Sequence, residues 1–151
     1  MEYMFLPFKR YFDFSGRSRR MEYWMFTLLN VIVAVIIGIL MVVTGGAGSM
    51  LNEATPGAGA PLGVLFGGVG ILLLLWGLAV LIPSIAVTVR RFHDRDMSGW
   101  WYLGFIVASL IPYLGFIASI ALLVIMFLPG TPGPNRFGPD PKNPTSADVF
   151  E

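Results

Sequence analysis

The sequence predicts an all-α, polytopic membrane protein, and three observations carry that prediction. Of 151 residues, 56% are hydrophobic and only 13% are charged, whereas a soluble domain is about one quarter charged and so can cover its core. Three apolar stretches, about Met25–Val43, Leu62–Val89 and Trp100–Leu128, match a bilayer core that takes roughly 20 helical residues. The basic residues gather in a few segments outside those stretches. A backbone in lipid must satisfy its own hydrogen bonds, so the stretches should be helices. Barrel strands would alternate polar and apolar residues, and no such alternation occurs.

The same composition closes off other classes. Low charge excludes a disordered chain. The absence of Cys excludes disulfides, thiol catalysis and cysteine metal sites. The formal charge of +1 gives no reason to expect a nucleic-acid partner.

Ahead of the first helix, Phe5, Phe8 and Phe12 fall at i, i+3 and i+7, while Lys9 and Arg10 lie off that face. Such a segment suits the membrane interface. The first helix is expected at about residues 22–44. Its leader is longer than that of a signal peptide, which favours an anchored helix. Ser15 or Ser18 offers an N-cap. Tyr23 and Trp24 suit an interfacial belt. Gly45–Pro61 reads as a flexible loop.

The second helix is expected at about residues 62–89. Gly63 and Gly67 form a GxxxG, the spacing that lets helices approach closely, so this face packs on the first helix or on a second copy of the chain. The third stretch, 100–128, would be about 43 Å long as a straight helix. It must tilt or break, and Pro112 is the natural break. A single kinked crossing is the favoured reading. A hairpin, Trp100–Ile111 with Tyr113–Leu128, is the alternative and would bring the tail back to the basic side. Residues 1–141 then form one integral membrane domain, and 142–151 a flexible tail.

Charge sorting sets the orientation. Lys9, Arg10, Arg17, Arg19 and Arg20 precede the first helix, and Arg90, Arg91 and Arg95 follow the second. Both segments belong in the cytoplasm, and the Gly-rich loop between them belongs outside.

Two polar clusters carry the chemistry. The first, Phe14–Trp24, holds Arg17, Arg19 and Arg20. The second runs from Arg90 to Trp101 and mixes signs: Arg90, Arg91 and Arg95 alternate with Asp94 and Asp96 around His93, the only histidine. Mixed signs at a membrane suggest internal pairing as well as a positive patch. Trp100 and Trp101 mark the return to the bilayer. One histidine without cysteine falls short of a zinc set, and His93–Asp94 lacks the further histidines of metal phosphohydrolases. Ser98 permits a Ser-His-Asp set on paper, but no GxSxG occurs. The tail from Pro129 to Pro141 is dense in turn formers and carries no dinucleotide motif, so no cofactor or metal is expected.

Together, Phe14-Ser15-Gly16-Arg17 with Glu22-Tyr23-Trp24, then Arg90-Arg91-Phe92-His93-Asp94 with Ser98-Gly99-Trp100-Trp101, then Gly130-Thr131-Pro132-Gly133-Pro134-Asn135-Arg136-Phe137-Gly138-Pro139-Asp140-Pro141 resemble the YhaH-type small bacterial inner-membrane proteins, domain-of-unknown-function family eight hundred and five. The resemblance covers about residues 8–141 with all three motifs in order. It implies a plasma-membrane location and marks positions, not a reaction.

The functional expectation is a non-enzymatic membrane module that binds anionic lipid headgroups or a partner protein. Arg17, Arg19, Arg20, Arg90 and Arg91 would meet phosphates, Asp94 would orient an arginine, and His93 would add pH sensitivity. Asn135 and Arg136 join this set. The rivals are a small oligomeric transporter or channel component and, more remotely, a membrane-embedded enzyme. Against transport stands the lack of charged residues within the apolar stretches, where only Thr27, Asn30, Ser84, Thr88, Ser109 and Ser119 offer polarity.

Overall fold

The computed structural model describes residues 2–43 and 68–143, and all described elements are helical. They are α1 (Glu2–Lys9), α2 (Arg20–Val43), α3 (Gly68–Asp94), α4 (Trp100–Ser109) and α5 (Leu114–Phe127). The Gly45–Pro61 loop, the Gly63/Gly67 pair and residues 144–151 lie outside the described residues.

Two helices, α2 at 24 residues and α3 from Val69 at 26, are long and apolar enough to cross a membrane. At 1.5 Å per residue each is longer than the roughly 30 Å hydrocarbon core. Their ends were expected near 22 and 89. Instead α2 starts at Arg20 and α3 runs on to Asp94, which carries Arg90, Arg91 and Asp94 on helical turns rather than in a loop. Pro83 sits inside α3. Ser15 and Ser18 do not act as the expected caps. The Ser15 hydroxyl donates to Asp13 Oδ1 at 2.5 Å, and the Ser18 amide donates to the Arg90 carbonyl at 3.2 Å. The Ser15 hydroxyl, with help from Arg10 and the Ser15 amide, lowers the Asp13 carboxyl to a pKa of about 2.

The third stretch corrects the favoured expectation of one kinked crossing. It folds as two short helices, α4 of 10 residues and α5 of 14. Pro112 has no N–H to continue a helix. Before it, Leu110 and Ile111 amides turn to the i−3 carbonyls of Val107 and Ala108, which tightens the last turn. Tyr113 then adopts φ 65° and the chain reverses. Tyr102, Phe105 and Ile106 of α4 share a cavity with Ala118, Ser119 and Leu122 of α5, so the two helices form a hairpin.

The chain divides into two compact units, residues 27–81 and residues 1–26 with 82–151. In the first, α2 and α3 are tied by Trp76 Nε1, which donates to Asn30 Oδ1 at 3.2 Å. Their outer faces expose Val31, Val35, Ile39, Leu75 and Leu78, far more apolar surface than a soluble monomer presents. In the second unit, α1 rests on the start of α2 through Phe8 and Phe26, edge to face at 5.4 Å. Phe12, expected on the same helical face, lies beyond the end of α1 and is exposed. The core of this unit is unusual: Arg90, Arg91, Phe92 and Ala86 are all fully buried.

Candidate functional site

The second unit is built around charges rather than around an apolar centre. Arg91 and Asp94 stand one turn apart at the end of α3, and Arg91 Nη1 donates to Asp94 Oδ2. The other carboxylate oxygen, Oδ1, accepts from Arg17 Nε at 2.9 Å. Arg17 directs its remaining nitrogens to the tail: Nη1 donates to the Gly133 carbonyl and Nη2 to the Thr131 carbonyl, each at 2.6 Å. Arg91 Nη2 donates to the Leu128 carbonyl. One aspartate therefore joins the leader, α3 and the start of the tail.

A second buried pair lies beside it. Arg90 Nη2 donates to Glu22 Oε1 at 2.8 Å, with side-chain exposures of 0% and 4%. Arg90 Nη1 reaches the Asp13 carbonyl at 2.9 Å. Charges this deeply buried must be paired, and removing one member of such a pair is strongly destabilising.

The tail caps α3. The last carbonyls of a helix lack intrahelical donors. Here the Thr131 amide donates to the Asp94 carbonyl at 2.8 Å, and Asn135 Nδ2 donates to the His93 carbonyl at 2.8 Å and to Thr131 Oγ1 at 3.1 Å. Asn135 Oδ1 accepts the Phe137 amide at 2.9 Å, and Asn135 and Gly138 form an isolated bridge. The Phe137 ring stacks on His93 at 3.9 Å and 4°. Arg95 Nη1 donates to the Pro129 carbonyl at 2.6 Å. Arg136 forms an exposed pair with Asp96 at 3.2 Å, of a kind that contributes little.

The interfacial aromatics divide. Trp100 and Trp101 are exposed. Trp24 instead packs on Phe127 at 4.2 Å and meets Tyr23 edge to face.

Arg19 and Arg20 behave differently from the buried arginines. With Arg17, Asp94, Thr131 and Lys142 they line a cavity of about 380 Å³. Arg19 Nε donates to the Pro141 carbonyl at 2.5 Å and Nη1 to Tyr3 Oη at 3.4 Å. Arg20 Nη1 donates to the Phe127 carbonyl at 3.2 Å. Arg19 Nη2, Arg20 Nε and Nη2 and the Lys142 ammonium make no bond to another described residue. Asp140, at the rim, is held below the usual carboxylate range, first by the Lys142 amide. Both Asp94 oxygens are already engaged, so the cavity is rich in free cationic donors.

The three motifs thus converge on one cap. Glu22 and Thr131 stand in the motifs but not among the expected site residues, and Lys142 falls in the expected flexible tail. Glu22 carried a signal, as the one acid in the first turn of a membrane-length helix among three arginines. The Ser98–His93–Asp94 arrangement does not assemble: Asp94 faces arginines, and His93 Nδ1 lies 3.2 Å from the Gly16 carbonyl. The polar residues of the apolar stretches also have local partners, as with Thr88 on the Ser84 carbonyl, Ser109 on Ile106 and Ser119 on Gly115.

The profile of a family described as a protein of unknown function, DUF805, matches residues 11–139. The chain is 40% identical over 144 residues to inner membrane protein YhaH of Escherichia coli K12, covering 94% of this chain and 98% of that one. It is 37% identical over 142 residues to inner membrane protein YhaI of the same strain, covering 94% and 97%. It is 27% identical over 147 residues to the uncharacterized protein YiiR, covering 85% and 86%. No solved structure matches it significantly.

Proposed function

The chain belongs to the DUF805 family, and on that premise we propose that it is a multi-pass inner-membrane module whose cap binds phosphate groups of anionic lipids without catalysing a reaction. The names of its relatives supply the membrane, and the apolar faces of α2 and α3 support it. One observation carries the ligand: free donors of Arg19, Arg20 and Lys142 surround a single cavity. Arg17, Arg90 and Arg91, first expected to meet phosphates directly, serve in this reading as the frame that holds the cavity.

The lipid test follows from that division. Native mass spectrometry should show the full chain retaining phosphatidylglycerol over phosphatidylcholine. The double variant Arg20→Ala/Lys142→Ala should lose that preference about tenfold or more, since each basic group near an anionic leaflet is worth about 1 kcal/mol. Equal retention by variant and parent would remove the lipid reading and leave a partner protein as the ligand. The non-enzymatic reading is supported by the His93 ring, which is fixed by Gly16 and Phe137 rather than by a carboxylate.

Orientation rests on charge. All ten Lys and Arg residues fall before or at the start of α2, at or just beyond the end of α3, or in the tail, and excess Lys and Arg mark the cytoplasmic side. The N-terminus and the tail are then both cytoplasmic. At about 15 and 21 Å, α4 and α5 are too short for separate crossings, and no charged residue occurs between Asp96 and Arg136. These lengths suit a hairpin dipping into one leaflet. Because the chain has no Cys, single cysteines report cleanly. Tyr113→Cys should resist an impermeant maleimide from both sides, while Lys142→Cys should react only from the cytoplasm. Labelling of Tyr113→Cys from the periplasm would mean that the hairpin crosses.

A further inference from the structure

A second cavity, of about 540 Å³, lies in the same unit between the end of α3 and the start of α4. That size is typical of small-molecule sites. Ile85, Val89 and Leu103 line its apolar wall, and His93, Ser98 and Tyr102 are its polar side chains. Among the described residues no Lys, Arg, Asp or Glu lines it.

The histidine gives the cavity a directional group. Its ring is held between the Phe137 face and the Gly16 carbonyl. A carbonyl can only accept, so Nδ1 carries the proton, and in the neutral ring Nε2 is an acceptor. Nε2 makes no bond to another described residue and faces Gly99, where an added Cβ would stand 3.5 Å from it. His93 is part-buried and lines the cavity, and a ligand hydroxyl can donate to its unused acceptor. The cavity continues onto α4, where Trp100, Leu103 and Ile106 are exposed. That surface is the one placed against lipid above.

We propose that this cavity binds an uncharged lipid with a hydroxyl headgroup. The O–H donates to His93 Nε2, and the tail leaves along α4 into the leaflet. The absence of a lining cation separates this site from the anionic cleft at Arg19 and Arg20. The inference rests on the membrane reading of α4 but not on the anionic-lipid reading, and a different class of lipid tests it.

The purified full chain is offered a diacylglycerol, a polyprenol and a quinol, each in competition with its own O-methyl ether, and retention is read by native mass spectrometry. The ether keeps the tail and loses the donor. At least one alcohol should be retained roughly fivefold over its ether, the ratio expected from one net hydrogen bond, and the alcohol that shows the preference identifies the source. Leu103→Trp, at a half-exposed wall position, should fill the cavity and abolish the preference with the thermal midpoint unchanged. If that variant fails to fold, Ile106→Phe blocks the same cavity. No preference for any of the three alcohols, or a preference that survives a folded cavity-filling variant, would overturn the proposal.

Discussion

Asp94→Asn should lower the unfolding free energy by about 3–5 kcal/mol, a large part of a typical domain's stability. The amide keeps the shape and removes the charge. Arg17 and Arg91, with side chains 1% and 0% exposed, are then left in the interior without a counter-charge. Both also donate to tail carbonyls, so the loss should spread to the tail as early proteolysis after Pro129. Unfolding in detergent micelles measures the first effect and limited proteolysis the second. Asp96→Asn is the control. Its pair with Arg136 is about half exposed, and its loss should cost less than about 1 kcal/mol.

Gly130→Ala should destabilise the cap by about 2 kcal/mol or more although it adds a single methyl group. A Cβ at Gly130 would overlap the Asp94 carboxylate. That carboxylate cannot turn aside, because Arg17 and Arg91 hold its two oxygens. The tail must move instead, which pulls Thr131 away from the Asp94 carbonyl that it caps. Gly104→Ala on α4 is the contrast. Nothing lies within 4 Å of its added Cβ, and alanine favours a helix over glycine by about 1 kcal/mol. A thermal shift of equal size in the two variants would contradict the close approach at Gly130.

The two long helices were legible because length and hydropathy are local properties. The hairpin was legible only as a choice. Pro112 marked the break, but whether a chain kinks or reverses depends on what holds its far end, here Arg20 and Arg91 on the Phe127 and Leu128 carbonyls. The charge clusters were harder still. The reading that acids near Arg90–Arg95 pair internally holds for Asp94 with Arg91, three residues apart. The partnership of Asp94 with Arg17 spans 77 residues and that of Glu22 with Arg90 spans 68, and no periodicity reports a pair at that range. For the same reason a basic cluster looks like an exposed patch, whereas Arg90 and Arg91 are buried. Lys142 looked like the start of a loose tail, and its place in the cavity depends on turns at Gly133–Asp140.

The central claim is that the leader, the end of α3 and the tail form one charge-paired cap, and a double-mutant cycle on Arg17 and Asp94 tests it most directly. Arg17→Met, Asp94→Leu and the double variant are unfolded under identical conditions in detergent. A coupling energy of about 1–3 kcal/mol between these positions is the predicted result, because residues in contact within one network are non-additive. Additivity within about 0.5 kcal/mol would mean that the two side chains do not meet, and the cap as described would be wrong.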